Sequence, residues 1–237
     1  EVTGRGPALR VSIHQGPATF GTVVPEERRG AVLDALGISS ASLHPSCPMQ
    51  IMSKANSRLL IGLQSPDTLE SLQPQMDKLV HLTPHVGADG FFVFALVPGS
   101  DPLETEARMF CPLIGIPEDP VSGNAHGMLG VYLLSNGLLT VGEDGRARFV
   151  GHQGRFVGGG DFGRGVVHAQ TPALQPQGAA AQGLHVVHGV GAEEDAGPRL
   201  AQLHDAVERF AREGAVAHGE RLVDHQDFGL QAGGHGE

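Results

Sequence analysis

Residues 108–136 read RMFCPLIGIPEDPVSGNAHGMLGVYLLSN, a strand-like run, an acidic turn and a helical stripe in succession. Arg108-Met109-Phe110-Cys111-Pro112-Leu113-Ile114-Gly115-Ile116 predicts a strand with a proline and a glycine at its end. Met128, Leu129, Tyr132 and Leu133 recur at three- and four-residue spacing, which predicts a helix running to Asn136-Gly137. Between them lies Pro117-Glu118-Asp119-Pro120-Val121-Ser122-Gly123-Asn124-Ala125-His126. The acidic turn therefore sits immediately before a helix N-terminus.

Backbone N–H groups at a helix start lack intrahelical acceptors, and the helix dipole favours negative charge there. Ser122 or Asn124 is placed to cap the helix, and Gly123 has no side chain to block close approach. Glu118 and Asp119 beside such a corner offer a proton carrier next to a pocket for a carboxylate. A plainer alternative fits the same pattern: Asp119 and Ser122 serve as caps, with Glu118 in solvent.

Outward from this segment, Gly90-Phe91-Phe92-Val93-Phe94-Ala95-Leu96 is an apolar run of strand length, expected as a central strand buried on both faces. Residues 49–53 and 58–64 predict two more strands. Residues 25–37 carry the helical stripe Val32, Leu33 and Leu36, with Glu26 and Glu27 in the first turn and Gly37 as the stop. Leu69, Leu72, Met76 and Leu79 predict a helix over 66–80. Residues 1–20 alternate loosely through Val2, Leu9, Val11 and Ile13, up to a turn at Gln15-Gly16-Pro17. Short strands interleaved with helices indicate an α+β or α/β domain.

The 237 residues carry a formal net charge of -10 and contain no basic block, which argues against nucleic acid or an anionic membrane as partner. No apolar run reaches the roughly 18–20 residues that span a bilayer. A soluble, cytoplasmic protein without a signal peptide is the expectation. Cys47 and Cys111 do not make a disulfide framework. From Phe156 to Glu237 the composition changes: Lys, Ile, Asn, Ser, Tyr, Cys and Met vanish, and Gly, Ala and His dominate. A weakly packed, disordered tail and a shifted reading frame in a GC-rich gene both produce such a stretch. One helical pattern survives in it, Leu200, Leu203, Val207 and Phe210.

EDPVSGNAHG after RMFCPLIGI resembles the signature of the PhzF (phenazine biosynthesis-like) isomerase family: Glu-Asp-Pro, a small residue, Ser or Thr, Gly, Ser or Asn, then Ala. Gly151-His152-Gln153-Gly154-Arg155 resembles a late strand of its bacterial members, and the pattern can be followed from about residue 1 to 155. The resemblance implies a diaminopimelate epimerase-like fold: two α/β halves, each a curled mixed β-sheet wrapped around a central helix, with the active site between them. Residues 1–20 are then expected as the remnant of the first half, 21–155 as the second half, and 156–237 as a divergent tail without recognisable closing strands.

The family's chemistry implies acid/base proton transfer on a small carboxylate-bearing substrate, phenazine-biosynthesis-like, with no cofactor and no metal, in a homodimer. Carried over by position, Asp119 becomes the catalytic residue that contacts substrate and assists proton movement. Glu118, Gly123, Asn124 and Ala125 become substrate-binding. Asn124 stands where the phenazine enzyme has Ser, and an amide can hydrogen-bond a carboxylate but cannot shuttle a proton as a hydroxyl does. The family's principal acid/base, a Glu in a Ser-Glu-Thr/Ala setting, and its early Gly-His motif do not occur here. A catalytically inactive remnant, acting as a binding or dimerisation module, is the competing expectation.

Other residues point less far. Racemases of the same fold use a Cys at each facing helix start, whereas here Asn124 holds that place and Cys47 and Cys111 read as core or loop residues. His185, His188 and the other tail histidines lack the accompanying Cys or carboxylate spacing of a metal site. His126, inside the helix, fits either a pocket or a packed position.

Overall fold

A strand that is apolar at every position needs cover on both faces. The computed structural model, which describes residues 2–3, 10–157, 163–170 and 184–189, with side chains from 16 to 157, provides that cover. Its strands are β1 (Val2–Thr3), β2 (Arg10–Gln15), β3 (Thr19–Val23), β4 (Gln50–Ser53), β5 (Ser57–Leu63), β6 (Phe91–Leu96), β7 (Glu104–Cys111), β8 (Ile116–Asp119), β9 (Arg146–Gln153), β10 (Gly163–Gln170) and β11 (Leu184–Gly189). Its helices are α1 (Glu26–Leu36), α2 (Pro66–Glu70), α3 (Met76–Val86) and α4 (Gly123–Ser135). The strands form a single sheet in the order β1-β2-β11-β10-β9-β7-β6-β5-β4-β3, with β8 added against β7. β5 and β6 run parallel, as do β7 and β9, while β6 and β7 are antiparallel, so the sheet is mixed.

Alternate residues along a strand face opposite sides, and the central strands divide their apolar residues accordingly. Leu60, Phe92, Phe94, Ala107, Met109 and Phe149 pack with Met128, Leu129 and Tyr132 of α4. Leu59, Ile61, Phe91, Val93 and Phe110 pack on the other face with Val32, Leu33 and Leu36 of α1, Leu69 of α2 and Leu79 of α3. The result is three layers: α1–α3, the sheet, and α4. Every residue from Gly123 to Leu133 is buried, as a helix apolar on all sides requires. The sheet meets that demand by curling, so that α4 lies against β4 as well as β9, β10 and β11. On one side Tyr132 Oη donates to the Pro48 carbonyl at 2.8 Å. On another, the His126 ring abuts β9, where a Cβ on Gly151 would stand 2.1 Å from its Cδ2.

Several expectations change. The helix over 66–80 is two helices, α2 and α3, interrupted at residues 71–75. Pro74 lacks an N–H to donate and biases Gln73 away from helical backbone, and this outweighs the periodic stripe. The strand expected over 108–116 begins earlier, at Glu104, and ends at Cys111. Pro112–Ile114 form a 3-10 turn, and the chain then re-enters the sheet as β8, which carries the acidic pair. β3 lies past the Gln15-Gly16-Pro17 turn and pairs with β4. The stretch after Arg155, where closing strands were not recognisable in the sequence, contributes β10 and β11; β10 pairs with β9 from Gly163↔Gln153 to Gln170↔Arg146, and β11 joins it to β2. A pair of adjacent valines among small and polar residues, Val166-Val167 in β10 and Val186-Val187 in β11, suffices for a strand once neighbours supply the hydrogen bonds. The helical pattern at 199–212 lies outside the described residues. Among the described residues no helix is long and apolar enough to cross a membrane.

Gly151→Ala is expected to destabilise the chain by about 1–3 kcal/mol in urea unfolding, with most of that loss absent when His126 is also Ala. An unaltered midpoint for Gly151→Ala would disprove the close contact. Cys47 is buried, and desolvation pushes its thiol from 9.0 up to about 11. Stability from the protonated thiol is complete below pH 9 and is lost as the pH climbs towards 11. Iodoacetamide at pH 8 should therefore leave Cys47 unlabelled until denaturant is added, as read by mass spectrometry.

Candidate active-site corner at the start of the central helix

Burying α4 also buries its N-terminus, where the open backbone amides need partners. Ser122 is the N-cap, and its Oγ accepts from the Ala125 amide at 3.3 Å. The Ser122 carbonyl accepts from the His126 amide at 3.1 Å and from His126 Nδ1 at 2.9 Å. A carbonyl oxygen only accepts, so Nδ1 carries the proton of that ring. Phe92 meets the imidazole edge-on, with centroids 5.3 Å apart, which fixes the ring as a packed core group.

Asp119, at the end of β8, is 7% exposed. Its Oδ1 accepts from the Val121 amide at 3.0 Å, closing the Pro120-Val121 turn that leads into the helix. Gln153, at the end of β9 and 1% exposed, clamps the same turn from the opposite strand. Its Nε2 donates to the Asp119 carbonyl at 2.7 Å, and its Oε1 accepts from the Ser122 amide at 3.1 Å. One amide side chain thus holds Asp119 and the helix cap at fixed separation. Gln153 was visible in the sequence as part of Gly151–Arg155, but its role depends on β9 ending beside β8 across β7.

Asn124 is in the first turn of α4 and 8% exposed, and its Nδ2 has no hydrogen-bond acceptor. The helix start leaves the Gly123 and Asn124 amides without intrahelical acceptors. Ala125 is fully buried and its amide is already taken by Ser122. Asp119, at the end of β8, and Gly123 and Asn124, in the first turn of α4, therefore stand around the buried helix start.

Glu118 departs from the grouping made on sequence. Neighbours on a strand point to opposite faces, so Glu118 faces the outer layer while Asp119 faces the α4 side. There Arg108 donates from Nε to Oε1 at 2.9 Å and from Nη2 to Oε2 at 2.9 Å. Arg108 Nη1 also donates to the Leu69 and Leu72 carbonyls, and the guanidinium lies over the Phe110 and Phe156 rings. Glu118 ties β7 to β8 and is committed to this bidentate pair.

Among the described residues no group of three or more His, Cys, Asp or Glu side chains is arranged to hold a metal ion. A groove of about 540 Å³ bordered by Thr22, Glu27, Arg28, Ile51, Leu82 and His85 lies on a separate part of the surface.

The family model described as phenazine biosynthesis-like protein (PhzC-PhzF) matches residues 9–161, more than half of the chain. The chain belongs to this family. It is 37% identical over 150 residues to the uncharacterized isomerase YddE of Escherichia coli, covering 63% of this chain and 49% of that protein. It is 30% identical over 116 residues to trans-2,3-dihydro-3-hydroxyanthranilate isomerase of Pseudomonas fluorescens, covering 49% of this chain and 37% of that protein. The crystal structure of a PhzF-family phenazine biosynthesis protein of Bacillus anthracis superposes with a TM-score of 0.64 at 16% identity, covering 80% of this chain and 60% of that one. The fold of this PhzF-family chain is thus the expected one, and the chain spans about half the length of the curated relatives it matches.

Glu118→Ala leaves the partly buried Arg108 charge uncompensated and is expected to cost about 3 kcal/mol in urea unfolding. The pair Arg108→Met with Glu118→Leu should recover most of it. A loss below about 0.5 kcal/mol for the single variant would contradict the structural role of this ion pair.

Proposed function

We propose that the chain carries one wall of a PhzF-type isomerase site, where a small carboxylate-bearing substrate is held for acid/base proton transfer. Asp119 is the acid/base group. The Gly123 and Asn124 amides, with Asn124 Nδ2, receive the substrate carboxylate. What supports this reading is the combination of a buried Asp119, clamped by Gln153, with a buried Asn124 amide that lacks an acceptor. Such a donor in a dry site is stabilised by an anion, and a carboxylate held within hydrogen-bond reach of its substrate is the usual carrier of a proton. One relative is named as a trans-2,3-dihydro-3-hydroxyanthranilate isomerase, and an anthranilate-type substrate carries a carboxylate.

The chain spans about half the length of the first curated relatives, 49% of the Escherichia coli protein, and the reading concerns the wall that this chain carries.

Titration with an anthranilate-type carboxylate followed by amide NMR tests the site. Gly123, Asn124 and Ala125 resonances should shift saturably, and Asp119→Ala should abolish the shift while leaving the unfolding midpoint within about 1 kcal/mol of the parent. Absence of any shift at millimolar ligand would sink the assignment. Unchanged binding in Asp119→Ala would leave Asp119 a turn-closing residue only.

A further inference from the structure

We infer that Arg58 gives this corner its selectivity for an anionic substituent, acting as a buried, uncompensated cation. Arg58 is 1% exposed. It begins the apolar run of β5 on the side that faces α4, in register with Leu60, and its cross-strand partner is Met52. Its side chain extends past Gly90, the residue before β6, where a Cβ would stand 3.4 Å from Arg58 Cδ, and reaches β7. There Nε donates to Met109 Sδ at 3.4 Å, and Nη1 donates to the Ser57 carbonyl at 2.9 Å. Met109 is the cross-strand partner of Asp119. The guanidinium thus ends beside the residue that flanks Asp119, on the face from which Asp119 looks towards α4.

The contrast with Arg108 is informative. Both guanidinium groups are buried, and Arg108 has a bidentate carboxylate and two carbonyls. Arg58 has one carbonyl and a thioether, a weak acceptor, and no carboxylate forms an ion pair with it among the described residues. Burying a charge without a counter-ion is expensive. Proteins keep such a group where a ligand completes it, and uncompensated groups cluster at functional sites for that reason. Asn124 Nδ2, in the first turn of α4, is a buried donor without an acceptor. An unmet amide donor and a buried guanidinium that no carboxylate pairs call for an acceptor that carries negative charge.

Arg58 acts through its field on a ligand held at the α4 start, without touching it, so it is a specificity-determining residue and not a catalytic one. Its effect should depend on the ligand's charge and not on its shape. This deepens the proposed function and rests on it.

The test is calorimetric titration of the full chain with benzoate and with its uncharged analogue benzamide. The parent, Arg58→Lys, Arg58→Met and Asp119→Ala are compared, with urea unfolding as the check on folding. The parent should bind benzoate at least about tenfold more tightly than benzamide, as one unit charge acting over several ångströms in a protein interior implies. Arg58→Met should erase that preference by weakening benzoate alone, and Arg58→Lys should retain most of it. Equal loss of both ligands in Arg58→Met, or no loss of either, overturns the inference. If Asp119→Ala still abolishes benzoate binding in that case, the site reading stands without Arg58. Where Arg58→Met does not fold, the parent's preference and its survival in Arg58→Lys decide. A parent that binds benzoate no better than benzamide overturns the role of Arg58 outright, and a parent that binds neither overturns both proposals.

Discussion

A helix apolar around its whole circumference can be stable in water only if something encloses it, and α4 is buried at every residue from Gly123 to Leu133. One flat sheet face would cover a single stripe of it. The sheet therefore curls, bringing β4 to one side of α4 and β9, β10 and β11 to others. Fully burying each large apolar side chain contributes roughly 1.5–3 kcal/mol, so Met128, Leu129, Tyr132 and Leu133 together make the helix the centre of the fold. The cost appears at its start. Open amides carried into the interior need acceptors, and Ser122, Gln153 and Asp119 organise the turn that supplies some of them. The candidate site is the part of this requirement that the chain does not meet by itself.

Strand alternation then sorts charges that look equivalent in one dimension. Glu118 and Asp119 are consecutive, yet one neutralises Arg108 in the outer layer and the other faces the central helix. Arg58 and Arg108 are sorted in the same way, since each opens onto a different face of the sheet. The outer guanidinium meets a carboxylate, and the inner one meets a carbonyl and a sulfur atom. A charge balanced in the outer layer holds strands together. A charge left unbalanced near the start of α4 shapes what can bind there.

The elements legible in the sequence were those whose pattern reports local geometry: the stripe of α1, the apolar run of β6, and the strand, turn and helix of 108–136. Where a stripe misled, as over 66–80, a proline decided the backbone and the stripe merely described which residues face the core. β8 was hidden because Pro112 and Gly115 mark the end of one strand and give no sign that another follows. β10 and β11 were hidden because small and polar residues carry little periodic signal, and their pairing partners lie far away in the chain, β2 among them.

Local pattern alone was enough to place an acidic turn before an apolar helix, with Asp119, Gly123 and Asn124 around the helix start, because these residues are neighbours in the chain. Strand pairing, which no local pattern reports, turns Glu118 to Arg108, brings Gln153 to the Asp119 carbonyl and carries Arg58 to Met109. These outcomes depend on which strands become neighbours and on which side of the pleat each residue falls, and no single segment carries that information.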